Sequence, residues 1–131
     1  MKTAGSRTRS LAQAVDIAPT LTELCGLPAS EGFQGRSLKP ILDEPAIEVD
    51  EAAFSWYPKE GWLGVAMRTD KWRYVEWTKP GEQTERELYN MVHDPQNDLN
   101  VADKPEHEKI VKVLGERLRA ALFATTADEP P

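Results

Sequence analysis

The stretch from Trp62 to Trp77 sets two β-rich runs, Leu63 to Thr69 and Trp72 to Thr78, on either side of the short polar pair Asp70-Lys71. Aromatic and β-branched runs separated by such a break form an antiparallel hairpin. The neighbouring residues extend it. Glu51 to Tyr57 is a candidate strand ended by Pro58, with Lys59-Glu60-Gly61 as the turn into the hairpin. Lys79-Pro80-Gly81-Glu82 is an exposed turn by composition, and Arg86 to Met91 is a fourth strand. Four short strands in succession predict an antiparallel meander.

A sheet of this kind needs one face covered, and residues 105–123 supply the cover. Ile110, Val111, Leu114, Leu118, Ala121 and Leu122 recur at helical spacing. The pairs Glu108/Lys112 and Lys112/Glu116, each four apart, mark the wetter side. The expected class is therefore α+β, a four-stranded antiparallel sheet covered by a C-terminal helix. Residues 125–131 read as a disordered tail.

Upstream, Asp16 begins a helix with Pro19 in its first turn and Gly26 as its stop. Ile17, Leu21 and Leu24 share one face, so a short amphipathic helix with one buried stripe is expected. Cys25 reads as a small buried residue beside that stripe. After a loop, Ser37 is placed to cap a single helical turn that buries Leu38, Ile41 and Leu42. The acidic, proline-containing segment from Asp43 to Asp50 connects this helical part to the sheet.

The net charge of −6 opposes binding to nucleic acid or to an anionic membrane by bulk electrostatics. One cysteine excludes an intrachain disulfide and a cysteine-rich metal site. No apolar run reaches the roughly 20 residues that span a bilayer. The basic start, with Lys2, Arg7 and Arg9, is not followed by the apolar stretch of a secretory signal.

Three ordered blocks carry a family resemblance. The first is Val15-Asp16-Ile17-Ala18-Pro19-Thr20-Leu21, followed by Gly26-Leu27-Pro28 and Gly35-Arg36-Ser37-Leu38. The second is Met67-Arg68-Thr69-Asp70-Lys71-Trp72-Arg73-Tyr74, followed by Glu87-Leu88-Tyr89-Asn90. The third is Asp94-Pro95-Gln96-Asn97-Asp98-Leu99-Asn100-Val101-Ala102, with Asn97 where the family usually carries Glu. Together they resemble the C-terminal part of sulfatases in the alkaline phosphatase superfamily, especially the iduronate-2-sulfatase-like branch. The resemblance implies that residues 1–45 are the tail end of the large sulfatase domain with its linker, and residues 46–124 the C-terminal subdomain. It also implies a missing N-terminal domain as partner, and a sulfated sugar as substrate of the complete enzyme. Complete members are commonly exported or lysosomal.

Family members hydrolyse sulfate esters with a formylglycine made from the cysteine of Cys-x-Pro-Ser-Arg, beside a calcium ion. No such motif occurs here, and Cys25 is followed by Gly-Leu-Pro. Formylglycine and calcium are thus expected only in the complete enzyme, and no cofactor in this chain. His93 and His107 do not resemble clustered metal ligands. Acidic pairs such as Glu85/Glu87 and Asp94/Asp98 are ordinary on a surface that must place 22 carboxylates. No residue is assigned a catalytic role.

The resemblance implies one contribution to a site. Tyr57-Pro58-Lys59 and Gly64 to Arg68 match stretches that approach the substrate, so Tyr57, Lys59 and Arg68 are candidate substrate-binding residues. An arginine offers a bidentate fork to a carboxylate, and a structural carboxylate at a domain interface would use Arg68 equally well. The four tryptophans read as core and interface rather than as a sugar platform. Two functions follow: the C-terminal fragment of a sulfatase contributing one wall of its pocket, or a free-standing non-catalytic α+β interaction module. The first also predicts that Ile17, Leu21, Leu24, Leu38, Ile41 and Leu42 form an apolar patch exposed in this chain, the footprint of the missing domain.

Overall fold

The computed structural model describes residues 3–126, with side chains as far as residue 122. The chain divides into two compact units, one ending at Ala53 and one starting at Phe54.

In the first unit a single 3-10 turn, Ala14–Asp16, leads into helix α1 (Ile17–Leu24), and a one-turn helix α2 (Lys39–Asp43) follows. Asp16 stands where a helix start is expected, and its carboxylate has two backbone partners. Oδ2 accepts the Gln13 N–H at 2.7 Å and Oδ1 accepts the Arg36 N–H at 3.0 Å. A buried charge persists only when so satisfied. The Thr20 hydroxyl repeats the arrangement one turn on, donating to the Asp16 carbonyl at 2.5 Å and accepting the Leu38 N–H at 2.8 Å. Between these anchors Gly35 passes so close that a Cβ there would lie 2.2 Å from the Val15 carbonyl oxygen. The spacing of Asp16, Thr20 and Gly35 thus fastens residues 35–38 onto the start of α1.

That clasp leaves the apolar stripe of α1 uncovered within this unit, as expected if its partner is a domain outside this chain. The side of α1 bearing Asp16 and Thr20 is buried, so Ile17 and Leu21 are each 57% exposed and Leu24 43%. Of the apolar residues around α2, Ile41 is buried while Leu38 and Leu42 are half-buried. Cys25 is exposed rather than buried, because it ends α1 where the chain turns away through Gly26 at φ +66°. Ser37 contributes differently from a cap: Leu38 occupies that position, while Ser37 Oγ accepts the Lys39 N–H at 3.2 Å.

The second unit is the expected meander. Strands β1 (Ala53–Lys59), β2 (Trp62–Arg68), β3 (Trp72–Thr78) and β4 (Glu85–Asn90) lie in the order β1-β2-β3-β4. β3 pairs antiparallel with both β2 and β4. Pro58 lies inside β1 instead of ending it, which an edge strand tolerates because one of its sides has no ladder to break. Glu60 and Gly61 both take positive φ, +51° and +83°, the pattern of the turn that matches the twist of a two-residue hairpin.

The register pairs Val65 with Glu76, Met67 with Tyr74, and Tyr74 with Leu88. Val65, Met67, Tyr74 and Leu88 are buried on this face, and helix α3 (Glu108–Thr126) lies against it through Leu114 and the fully buried Leu118. Each such side chain contributes roughly 1.5–3 kcal/mol when withdrawn from water. Glu108, Lys112 and Glu116 are exposed, as their spacing predicts. Thr125 and Thr126 close α3 rather than opening the tail, and residues 127–131 lie outside the described residues.

A buried charge sits under α3. Glu76 accepts the Tyr74 hydroxyl at 2.7 Å and Arg119 Nη1 at 2.6 Å, with Arg86 Nε 3.9 Å away. Burial, then the Glu76 hydrogen bond, pushes the Tyr74 hydroxyl well above the usual tyrosine range. Gly115 makes the approach possible, since a Cβ there would meet the Tyr74 hydroxyl at 3.0 Å and Glu76 at 3.1 Å.

The other side of β4 is closed by the Asn100 side chain and the Val101 backbone. Asn100 Oδ1 accepts the Leu88 N–H at 2.9 Å, Nδ2 donates to the Arg86 carbonyl at 3.1 Å, and the Val101 N–H donates to the Leu88 carbonyl at 2.9 Å. An edge that would otherwise offer a template for pairing is thereby occupied. The preceding turn is held by Asp94, which accepts the Asp98 and Leu99 N–H groups at 3.0 Å each. Those bonds, Asp98 first, hold its carboxyl below the ordinary range. Asn97 has φ +62° there, a conformation asparagine tolerates better than most residues.

Candidate functional site

The sheet face away from α3 carries the polar chemistry of the second unit. Cross-strand partners share a face, so the register places Gly64 with Trp77 and Glu85, Ala66 with Val75 and Glu87, and Arg68 with Arg73 and Tyr89. Ser55 and Tyr57 of β1 join them around a hollow of about 140 Å³ that Gly64, Ala66, Arg73, Val75, Trp77 and Glu87 complete.

Trp77 is the centre of this face. Its ring lies directly over Gly64, where a Cβ would come within 2.6 Å of the indole. Any other residue at 64 would displace it. The indole N–H donates to Glu87 Oε1 at 2.9 Å, and the Tyr89 hydroxyl donates to Glu87 Oε2 at 3.0 Å. Tyr57 approaches edge-on, with ring centroids 6.2 Å apart. The indole is therefore fixed in plane, tilt and depth. Tyr89 is raised above the usual tyrosine range by burial first and then by its bond to Glu87.

All three residues expected to bind substrate lie on this face, but not together. Tyr57 is exposed beside Trp77. Lys59, two residues on and so on the same side of β1, lines a groove of about 330 Å³ with Glu60, Trp62, Trp77, Glu85 and Glu87. Arg68 stands at the far end of β2, six residues beyond Trp62, or roughly 20 Å at about 3.3 Å per residue. Beside it is Arg73, its partner in the register. Burial, then the charge of Arg73, lowers the Arg68 guanidinium, opposed only by Asp70, and Arg68 Nη1 is buried without a hydrogen-bond partner. A guanidinium nitrogen buried without a partner, beside a second cation, favours a neighbouring anion.

Sequence reasoning did not find the Trp77–Glu87–Tyr89 chain. The residues are ten and two positions apart, and only the β3–β4 register makes them neighbours. The alternation of Glu85, Glu87 and Tyr89 was the available signal. His107 packs edge-on against Trp72 at 5.4 Å, and His93 is exposed in the turn after β4. Among the described residues no group of three or more His, Cys, Asp or Glu side chains is placed to hold a metal ion. No described helix is long and apolar enough to cross a membrane.

Residues 2–123 match the family model described as N-sulphoglucosamine sulphohydrolase, C-terminal. The chain is 29% identical over 119 residues to the N-acetylglucosamine-6-O-sulfatase of Bacteroides thetaiotaomicron, covering 85% of this chain and 21% of that protein. It is 28% identical over 102 residues to arylsulfatase K of Gallus gallus, covering 69% and 18%. Among solved structures it resembles BT4656 in complex with its substrate D-glucosamine-2-N,6-O-disulfate, with a TM-score of 0.82, 26% identity, and coverage of 97% of this chain and 27% of that one. The chain thus spans about a fifth of the length of the curated relatives it matches.

Proposed function

The chain belongs to the N-sulphoglucosamine sulphohydrolase C-terminal family, and from that membership we propose that it acts as the C-terminal region of a sulfatase, forming one wall of the pocket of a sulfuric ester hydrolase. The observation that carries this reading over a free-standing module is the outward apolar stripe of α1. Ile17, Leu21 and Leu24 are three large apolar side chains held toward solvent by the Asp16 and Thr20 clasp. A contiguous apolar surface of that kind marks an interface, here with the preceding catalytic domain.

Catalysis itself belongs to that domain. The formylglycine and calcium of the family do not fit the residues present. Cys25 lies in Leu24-Cys25-Gly26-Leu27-Pro28, and the Glu87 carboxylate at the candidate site is engaged with Trp77 and Tyr89. What this chain supplies is substrate contact. Arg68, with Arg73 beside it, is the end of the sheet suited to a sulfate or carboxylate. Tyr57 and Lys59 serve a part of the substrate nearer the β1–β2 turn. The motif resemblance points to the iduronate-2-sulfatase-like branch, whereas the relatives act, by their names, on sulfated glucosamine or carry the arylsulfatase K name. We take a sulfated sugar of the glucosamine class as the substrate.

A chimaera tests the reading. Residues 12–122 replace the matching C-terminal segment of the Bacteroides thetaiotaomicron N-acetylglucosamine-6-O-sulfatase, and release of sulfate from the 6-sulfated sugar is followed. Turnover is expected, with Arg68→Ala raising KM. A chimaera that folds and loads its metal yet releases no sulfate would refute the pocket-wall role.

A further inference from the structure

We propose that the groove at the β1–β2 turn, between Trp62 and Trp77, is a separate subsite for an uncharged or amine-bearing sugar ring, distinct from the arginine end of the face. The inference rests on the reading of the protein as part of a sugar sulfatase. Three features of the groove lead to it.

Charge is the first. Three carboxylates, Glu60, Glu85 and Glu87, line the groove with the Lys59 ammonium, and with Lys79 Nζ 5.5 Å from the Trp62 ring centre the carboxylates still outnumber the ammoniums. Such a lining repels a sulfate and accepts hydroxyl or ammonium donors. The arginine pair at the other end of the sheet has the opposite preference. A sulfated amino sugar, or a longer saccharide, presents both kinds of group.

Preorganisation is the second. A sugar ring binds an aromatic through its C–H faces, so the aromatic must be held flat and still. The Trp77 indole is held by its packing over Gly64, by Tyr57 nearly perpendicular to it and by the hydrogen bond to Glu87. Glu87 is itself fixed by Tyr89, so the carboxylate that a sugar hydroxyl would meet is already oriented. Little ordering then remains for binding to offset. Trp62 forms the opposite flank, with Lys79 Nζ 5.5 Å from its ring centre.

Size is the third. At about 330 Å³ the groove lies at the small end of ligand sites, which run from roughly 300 to 1,000 Å³, and is suited to one ring rather than an extended chain.

The test uses the full chain labelled with nitrogen-15 and follows its indole N–H resonances during titration with glucosamine, N-acetylglucosamine and glucosamine 6-sulfate. Saturable displacement of the Trp62 and Trp77 signals by the two unsulfated sugars is expected, with no tighter binding of the sulfated one. Glu85→Lys, an exposed substitution, should weaken glucosamine roughly tenfold, about 1.4 kcal/mol. Trp62→Ala should abolish the displacement at Trp77, and the preserved dispersion of the remaining resonances shows that the variant is folded. Absence of saturation in the wild type, a preference for the 6-sulfate, or indifference to both substitutions overturns the proposal. The chimaera keeps the two readings apart: sulfate release without an indole response removes only this subsite, while an indole response in an inactive chimaera removes the sulfatase role.

Discussion

Removing Arg119 from Glu76 should destabilise the second unit, and the size of the loss follows from how deeply the pair is buried. The Glu76 side chain is 9% exposed and that of Arg119 46%, with 2.6 Å between them. Breaking a fully buried pair costs about 3–5 kcal/mol, and an exposed pair contributes about 0–1 kcal/mol. The half-exposed arginine shifts the value toward the lower figure. The Tyr74 hydroxyl stays on Glu76 after Arg119→Met, and Arg86 is near enough to close in. A loss of about 1–2 kcal/mol is therefore expected. Glu76→Gln should cost a similar amount, since it strands Arg119 and weakens the Tyr74 bond. The two losses should not add, and a double-mutant cycle should return a coupling of about 1 kcal/mol.

Urea unfolding followed by tryptophan emission is the assay. All four tryptophans lie in the second unit, so the signal reports that unit. In a thermal melt, about 1 kcal/mol corresponds to about 4–8 °C for a unit of 60–100 residues. Additive losses, or an Arg119→Met variant that unfolds with the wild type, would refute the view that the helix is fixed on the sheet by this charge as well as by apolar contact.

Leu114→Asp and Leu118→Asp should each abolish the cooperative tryptophan transition, because either leaves an unpaired carboxylate against the sheet at a cost of several kcal/mol. Gly35→Ala should loosen the first unit while leaving the tryptophan transition unchanged. Its Cβ would meet backbone at 2.2 Å, and faster exchange of the Arg36 amide proton is the measurement. Asp94 gives a pH signature: its folded carboxyl titrates below its unfolded value, so its contribution is complete above about pH 4 and is lost as pH falls through the folded value. The stability difference between wild type and Asp94→Asn should accordingly be constant near neutrality and shrink in acid. A difference that grows in acid would show that the backbone donors do not favour the ionised form.

Much of this protein is written in local pattern. Alternation and turn residues gave the four strands, with ends displaced by a residue or two, and helical spacing gave α3 and its buried Leu114 and Leu118. Both signals report on neighbours close in sequence, where chain geometry alone dictates which side chains share a face. The three motif blocks were equally legible, and each now has a local or near-local cause: the Asp16–Thr20–Gly35 clasp, the hairpin at Asp70-Lys71, and the Asp94 turn with Asn100 closing the β4 edge.

Other features were settled only by tertiary structure. Periodicity identified the apolar stripe of α1, and the lack of a cover for it in this chain predicted its exposure, but not what holds it outward. Half-buried hydrogen bonds from the Arg36 and Leu38 N–H groups to Asp16 and Thr20, on the opposite side of the helix, do so. Alternation separates a more apolar face of the sheet, with Val65, Met67, Tyr74 and Leu88, from one carrying Arg68, Arg73, Glu85 and Glu87, but only the folded chain shows that Gly115 lets α3 approach Tyr74 and Glu76 on the first. The remaining face became a candidate site because antiparallel register brought Trp77 to Glu87, and Arg68 to Arg73. Sequence alone fixes which residues alternate within a strand. Which strand lies beside which, and at what offset, depends on the summed burial of the whole sheet, and that sum exists only in the folded chain.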